Sequence, residues 1–305
     1  MRLLVTGASG FLGRAVVASG AEYGHHMIAA SRSGAAVPGA GDVQASGELL
    51  GGSSLNFDGV DAVIHCAARV HVLKREDPAK ARAAFHAMNA ELPVQLAKTA
   101  RDAGVGRFVQ VSSVAALASA TAPGEVLDDE SAPSPTTPYG QAKLAADRAL
   151  AELVSENFSV VSLRPPAIYG PDVGAWFAML ARAARLGVPL PIGRIDNARS
   201  IAFVGNIADA VVTSARSHRN GSFIVTDSVP ISVGTLYRKL NALSDHSGRV
   251  WNWPRPLVQP LARAALGERA SSLTGNAAFD GSRFARIFRW EPRVDMDEAL
   301  TLSFA

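Results

Sequence analysis

A single cysteine, Cys66, is all the thiol chemistry available to this chain of 305 residues, which excludes an internal disulfide framework and any all-cysteine metal site. Set in "AVIHCAA" at a strand end, it reads as a small buried side chain rather than a nucleophile. No uninterrupted apolar run reaches the roughly 20 residues that span a bilayer. The N-terminus runs "MRLLVTGASG" directly into a motif, with no room for a signal peptide. Together with the lone thiol, this leads us to expect a cytoplasmic protein without stable membrane insertion. Charge of one sign is nowhere blocked into a tail: 30 Lys and Arg lie scattered among 27 Asp and Glu, for a formal charge of +3. That speaks weakly for anionic ligands and against nucleic acid, since clustered lysines with interleaved aromatics are missing. Internal repeats and low-complexity tracts are missing too.

What is present is core material, 48% of the chain being hydrophobic, enough for one large domain with a smaller annex. Short apolar runs at 3–5, 27–30, 62–67, 107–112 and 158–164 alternate with longer helical patterns. Such alternation predicts an α/β fold, a Rossmann-type doubly wound parallel sheet. The stretch "AAFHAMNAELPVQLAKTARDAG" has helical period and closes on Gly104, with Pro93 expected to kink it or to start a second segment. Past Arg164, "RPPAIYGP" and "GVPLPIGRIDN" carry Pro and Gly clusters that mark loops rather than sheet strands. We therefore expect a dinucleotide-binding domain over 1–165. A smaller C-terminal region, mainly for substrate, is expected over 166–305, with some segments returning to the sheet. Helices are predicted near 175–186, 208–217 and 233–243, and a short strand at "SFIVTD".

The first βα junction holds Gly7, Gly10 and Gly13 at three-residue spacing, with Phe11 and Leu12 opening the helix. A tight turn, a bare backbone and a helix N-terminus with free N–H groups suit a pyrophosphate. At the end of the second strand an acid would bind the adenosine ribose and an arginine a 2′-phosphate. Ser31 and Arg32 stand there with no acid, so the expected cofactor is NADP, with NAD still open. Ala67 and Ala68, small residues at a strand end, are placed to lie against the cofactor backbone.

In "TTPYGQAK", Tyr139 and Lys143 are four residues apart and share one helix face, where an ammonium favours a phenolate. A tyrosine of pKa about 10 needs such help, and a bound nicotinamide, to act as a base near neutrality. "RFVQVSSVAAL" supplies Ser112 and Ser113 at the end of the preceding strand, within reach of the same substrate oxygen.

The run Thr6–Gly13 (TGxxGxxG), the serines and Tyr-x-x-x-Lys, in this order, resemble the extended short-chain dehydrogenase/reductases, over residues 1 to 170. The likeness extends to their NAD-dependent epimerase/dehydratase family. It assigns the catalytic hydroxyl to Ser113, with Ser112 the alternative, and gives Tyr139 the proton transfer. Lys143 would hold the nicotinamide ribose. Asn89 takes the place of a structural or proton-relay asparagine, and Pro166, in "LRPPAIYGP", borders the nicotinamide. "NARSIAFVGNIADA" resembles an R-x-x-x-x-V-x-D segment whose arginine binds a diphosphate. Arg199 is the matching position, and Asn206 stands where the pattern has Asp. A second phosphate ligand is open among Arg255, Arg263, Arg269 and Arg283.

"HCAARVHVLKRED" is similar to a UDP-glucose 4-epimerase-like branch and brings in Arg69 and His71 as substrate contacts. The resemblance implies a UDP-sugar substrate acted on at C4, by an NADPH-dependent 4-keto sugar reductase or, alternatively, a 4-epimerase with retained NAD. A non-catalytic dinucleotide sensor is the other class, against which the intact Ser, Tyr and Lys set counts. The family's habit of pairing two helices per subunit implies a homodimer through segments 80–103 and 138–156. The pattern at 256–266 is expected to pack on the substrate region rather than on a membrane. No metal is called for.

Overall fold

The computed structural model describes residues 1–49, 55–70, 76–244, 250–254, 256–258, 260, 264 and 274–304. The apolar runs become strands β1 (Arg2–Thr6), β2 (His26–Ser31), β3 (Asp42–Ala45), β4 (Ala62–His65), β5 (Arg107–Val111) and β6 (Ser159–Arg164). With β9 (Gly221–Ile224) they form, among the described residues, a sheet of order β3-β2-β1-β4-β5-β6-β9. All of its pairings are parallel. The order reverses between β1 and β4, and there the crevice beyond the strand ends takes ligands in folds of this kind. The expected Rossmann-type sheet is therefore present, accompanied by a smaller C-terminal region.

Strands buried on both faces read as continuous apolar runs, and the two-residue period sorts their side chains. Leu3, Val5, Met27, Ala29, Ile64, Val109 and Val161 face helices α1 (Phe11–Glu22) and α6 (Val204–Ala215). Leu4, Ile28, Val63, Phe108 and Val160 face α3 (Leu92–Asp102) and α4 (Pro138–Ala151). A further core joins Tyr169, Phe177, Leu180, Phe203, Leu236 and Leu240. These come from β7 (Ala167–Tyr169), α5 (Ala175–Arg185), β8 (Ile201–Phe203) and α7 (Val233–Ala242). Of two shorter helices, α8 (Ser282–Phe288) packs Phe284 on the main-sheet core beside β9, and α9 (Met296–Phe304) adds Ala299 and Leu300 to this further core.

The long helical pattern is α2 (Pro78–His86), a π-helical turn at Ala87–Glu91, and α3. Pro93 sits in the first turn of α3, where its missing N–H costs little. Three strands, β3, β7 and β8, were not expected from the sequence, whereas the strand in "SFIVTD" was. β3 is a short, mostly exposed edge strand whose "DVQA" has no apolar run to announce it. "RPPAIYGP", read as loop, contains β7, which pairs in parallel with β8 in a separate two-stranded sheet. Three residues between prolines and glycine are too few to display a period. The strand in "SFIVTD" lies at the edge of the main sheet, against β6.

Candidate active site

The glycine loop is built by close packing. Gly7 has φ +71°, and a methyl there would lie 2.6 Å from the Ala67 backbone nitrogen. A methyl on Gly13 would lie 2.1 Å from the Gly7 carbonyl oxygen. The loop is thus pressed between α1 and the chain leaving β4, which brings Ala67 and Ala68 beside it. Gly10 precedes α1 without a side-chain cap, and no acidic residue occupies the first turn. The N–H groups there are left for an anion. Phe11 and Leu12 are half-buried and pack toward the second core. At the end of β2 the buried Ser31 hydroxyl has no hydrogen-bond partner. A bare glycine cradle, an uncapped helix end and an orphan hydroxyl fit a dinucleotide.

Ser113, Tyr139 and Lys143, expected from the sequence to carry the chemistry, lie together at the ends of β5 and α4. Thr137 caps α4 by accepting from the Gly140 N–H at 3.1 Å, and Pro138 opens the helix. Gly140 allows a close approach: a methyl on it would lie 2.2 Å from the Ala115 carbonyl oxygen. Ala115 belongs to the 3₁₀ turn Val114–Ala116, which Ser113 caps through the Ala115 N–H at 3.2 Å. Val114 N–H donates to the Pro165 carbonyl, which ties this turn to the loop carrying the buried Pro166. The consequence is that the Ser113 hydroxyl faces the Tyr139 phenol closely enough to lower its pKa. Ser112 instead points into the interior and donates to Asp147 Oδ2 at 3.0 Å.

Lys143 is fully buried and donates from Nζ to the Val111 carbonyl at 2.8 Å, with Nζ 6.0 Å from the centre of the Tyr139 ring. Burial pulls it down to about 8, opposed by the charge of Asp147. The expected depression of Tyr139 is not in place: burial pushes it up to about 12, the Ser113 hydroxyl lowers it and Asp147 raises it further. His65, bonded through Nδ1 to the Thr6 hydroxyl at 2.7 Å, is driven down to about 3 by burial and then by Lys143. Burial pushes the Cys66 thiol up to about 12, consistent with an inert side chain.

Arg69 borders this group. Asn89, in the π-helical turn, accepts from the Arg69 N–H at 2.9 Å and donates to its carbonyl at 2.8 Å. The asparagine therefore fixes the Arg69 backbone. The Arg69 guanidinium pairs with Glu76 at 2.5 Å and lies 5.6 Å over Phe85, whose edge meets the Tyr139 ring. Arg199 contacts none of Ser113, Tyr139 or Lys143. It donates to the Gly275 carbonyl at 3.1 Å, its backbone pairs with Ile231, and no carboxylate among the described residues lies within 4 Å. Burial lowers its pKa. Arg283 is committed to Asp129 at 3.7 Å and to the face of Phe223. His71, Arg255, Arg263 and Arg269 lie outside the described residues, as does most of 256–266.

Asn206 has a physical reason for replacing Asp. Its amide donates to Asp227 Oδ2 at 2.9 Å and to the Val294 carbonyl at 2.8 Å, while its oxygen accepts from Arg293 N–H and Val294 N–H. A carboxylate would face Asp227 unpaired.

Sequence reading missed Asp147, which forms a buried ion pair with Arg164 at 2.9 Å. Stranding either charge costs about 3–5 kcal/mol. The available signal was periodic: Tyr139, Lys143 and Asp147 repeat every four residues along one face of α4. Gly140 and His65 were missed as well, because their roles depend on neighbours distant in sequence.

The chain is 30% identical to UDP-glucose 4-epimerase of Vibrio cholerae over 309 aligned residues, covering 97% of this chain and 92% of that one. Among solved structures it resembles MoeE5 in complex with UDP-glucose and NAD, with TM-score 0.76, 24% identity, and coverage of 100% and 97%. It also resembles the Thermus thermophilus UDP-glucose 4-epimerase complex with NAD, with TM-score 0.75, 20% identity, and coverage of 100% and 98%. Both hold NAD, which overturns the expectation of NADP. Arg32 had carried that expectation, and it lies exposed just past β2, as a solvated loop arginine does. A family model, the NAD dependent epimerase/dehydratase family, matches residues 3–225. With that match and the full-length relative, the chain belongs to this family, as an enzyme of the extended short-chain dehydrogenase/reductases.

Proposed function

We propose that this enzyme acts at C4 of a UDP-sugar as an NAD-dependent 4-epimerase. The observation that carries the reading is that Ser113, Tyr139 and Lys143 gather where β5 and α4 meet, with Lys143 Nζ 6.0 Å from the centre of the Tyr139 ring. The full-length likeness to a UDP-glucose 4-epimerase favours epimerisation over the reductase alternative.

The cradle of Gly7, Gly10 and Gly13, with Ala67, Ala68 and Ser31, would hold the dinucleotide, and Pro166 would border its nicotinamide end. NAD, when bound there, would supply a hydride acceptor and donor at C4, and inversion would require the keto sugar to turn over between the two transfers. Tyr139 accepts the C4 hydroxyl proton as the C–H bond yields its hydride, then gives it back as the hydride returns. Ser113 donates to the same oxygen while it carries charge. With Tyr139 near 12 in the protein alone, phenolate formation depends on positive charge delivered by the bound cofactor. Lys143 holds the ribose. Arg199, half-buried and paired with no carboxylate among the described residues, is the diphosphate ligand, and Arg69 contacts the sugar end. Segments 80–103, which span α2 and α3, and 138–156, which holds α4, would form the surface of a homodimer.

The test is analysis of the dinucleotide in purified protein, followed by incubation with UDP-glucose, UDP-galactose and their N-acetyl forms under NMR. The expected result is retained NAD and interconversion of C4 epimers without net consumption of cofactor. Stoichiometric oxidation of added NADH on a 4-keto sugar would replace the epimerase by the reductase. Absence of dinucleotide binding would remove both. Arg199→Ala is expected to weaken UDP binding at least tenfold in a competition titration.

A further inference from the structure

We infer that Glu76 is a specificity-determining residue: paired with Arg69 at the sugar end of the site, it reserves that end for uncharged sugars and turns away sugars that carry a carboxylate. The inference rests on the UDP-sugar reading above and on Arg69 meeting the sugar.

Two constraints fix where Arg69 stands. Its backbone follows Ala67 and Ala68 out of β4, and Asn89 holds it twice, accepting from its N–H at 2.9 Å and donating to its carbonyl at 2.8 Å. Its guanidinium lies 5.6 Å from the centre of the Phe85 ring, on α2. That ring meets Tyr139 edge-on, with centres 6.2 Å apart and planes at 73°. The cation is therefore one aromatic ring away from the phenol that handles the C4 hydroxyl.

Glu76 decides what this cation can recognise. Its Oε2 accepts from Arg69 Nη2 at 2.5 Å, and the two side chains are 28% and 29% exposed. So placed, the pair is screened less than a fully solvated one and is still open to a ligand. The Arg69 Nε is buried without a hydrogen-bond partner among the described residues. The guanidinium thus spends Nη2 on a carboxylate that cancels its charge and keeps an N–H that a hydroxyl oxygen can use. A carboxylate on the sugar would meet the reverse: a cation already neutralised, and a like charge on Glu76 beside it. Glu76 also precedes Asp77, the residue that caps α2. A pair that served only to tie the chain leaving β4 to that helix would, when broken, weaken all UDP-sugars alike.

Competition titrations of the full-length protein with UDP, UDP-glucose and UDP-glucuronate read this directly, since the two sugars differ only in a hydroxymethyl group against a carboxylate. The wild-type protein is expected to prefer UDP-glucose by about tenfold or more. Glu76→Gln keeps an oxygen for Arg69 and removes the charge, so the preference should shrink by about tenfold, chiefly through tighter UDP-glucuronate, with UDP affinity unchanged. Equal binding of the two sugars by wild type, or a preference that Glu76→Gln leaves as it was, overturns the inference. Should that variant not fold, Arg69→Gln carries the opposite sign: it leaves Glu76 uncompensated and should widen the preference, while a narrowed or unchanged one overturns the inference. Failure of UDP and both sugars to bind wild type removes the UDP-sugar reading and this inference with it. UDP binding with a preference indifferent to Glu76 removes the inference alone.

Discussion

Replacing Gly13 by alanine sets two effects against each other. Within a helix the change gains about 1 kcal/mol of intrinsic propensity. The new methyl, however, lies 2.1 Å from the Gly7 carbonyl oxygen and 2.8 Å from Ala8 Cα, where nonbonded atoms rest at roughly 3.5 Å. The loop would have to withdraw by about 1 Å, and it has nowhere to go, because Gly7 is itself pressed on the Ala67 backbone. Overpacking of this kind costs about 1–3 kcal/mol. Losing the Gly10 N–H bond to Gly7 O, 2.9 Å long, adds about 1 kcal/mol. The net expectation is a loss of about 1–3 kcal/mol, read as a lower urea midpoint at unchanged slope, with NAD affinity reduced at least tenfold. Gly24→Ala is the control. Its φ is +74° with open space around it, so it incurs about 1–2 kcal/mol of backbone strain and keeps NAD affinity. A Gly13→Ala protein as stable as wild type, with unaltered NAD binding, would refute the packing argument.

Tyr139→Phe should lower UDP-sugar turnover by about 10²–10⁴-fold and leave NAD affinity within a few-fold; retention of a tenth of the rate would contradict the proton-transfer role. Asp129 is held near 6 first by burial, so the folded state prefers it protonated. The stability it allows is complete below pH 4 and lost as pH rises through 6. Asp129→Asn should therefore be more stable than wild type at pH 8, by about 1–3 kcal/mol, and the gap should close at pH 4; parallel urea curves at the two pH values would count against it. Asn206→Asp should destabilise by about 1–3 kcal/mol at pH 7.5, since two carboxylates would meet 2.9 Å apart. The deficit should shrink toward pH 5 in thermal melts as one of the pair takes a proton.

Long apolar runs and glycine spacing were enough to place the main strands, because a sheet buried on both faces writes its strands as unbroken apolar segments. β3, β7 and β8 escaped, the first being an exposed edge and the other two three residues long each. Within the site, Tyr139 and Lys143 were legible because helix geometry relates residues four apart. The resemblance favoured Ser113 over Ser112, and the fold gives a physical reason for the preference, since the Ser112 hydroxyl is spent on the buried Asp147.

By itself, then, the sequence determined the sheet, the cradle and the local pairings, all of which depend on neighbours a few residues apart. Only the tertiary structure decided how charge is distributed around Lys143, why Gly140 must be bare, and why Asn206 replaces an acid. Each of these depends on groups contributed by different strands and helices, and burial, which no single segment specifies, sets their energies.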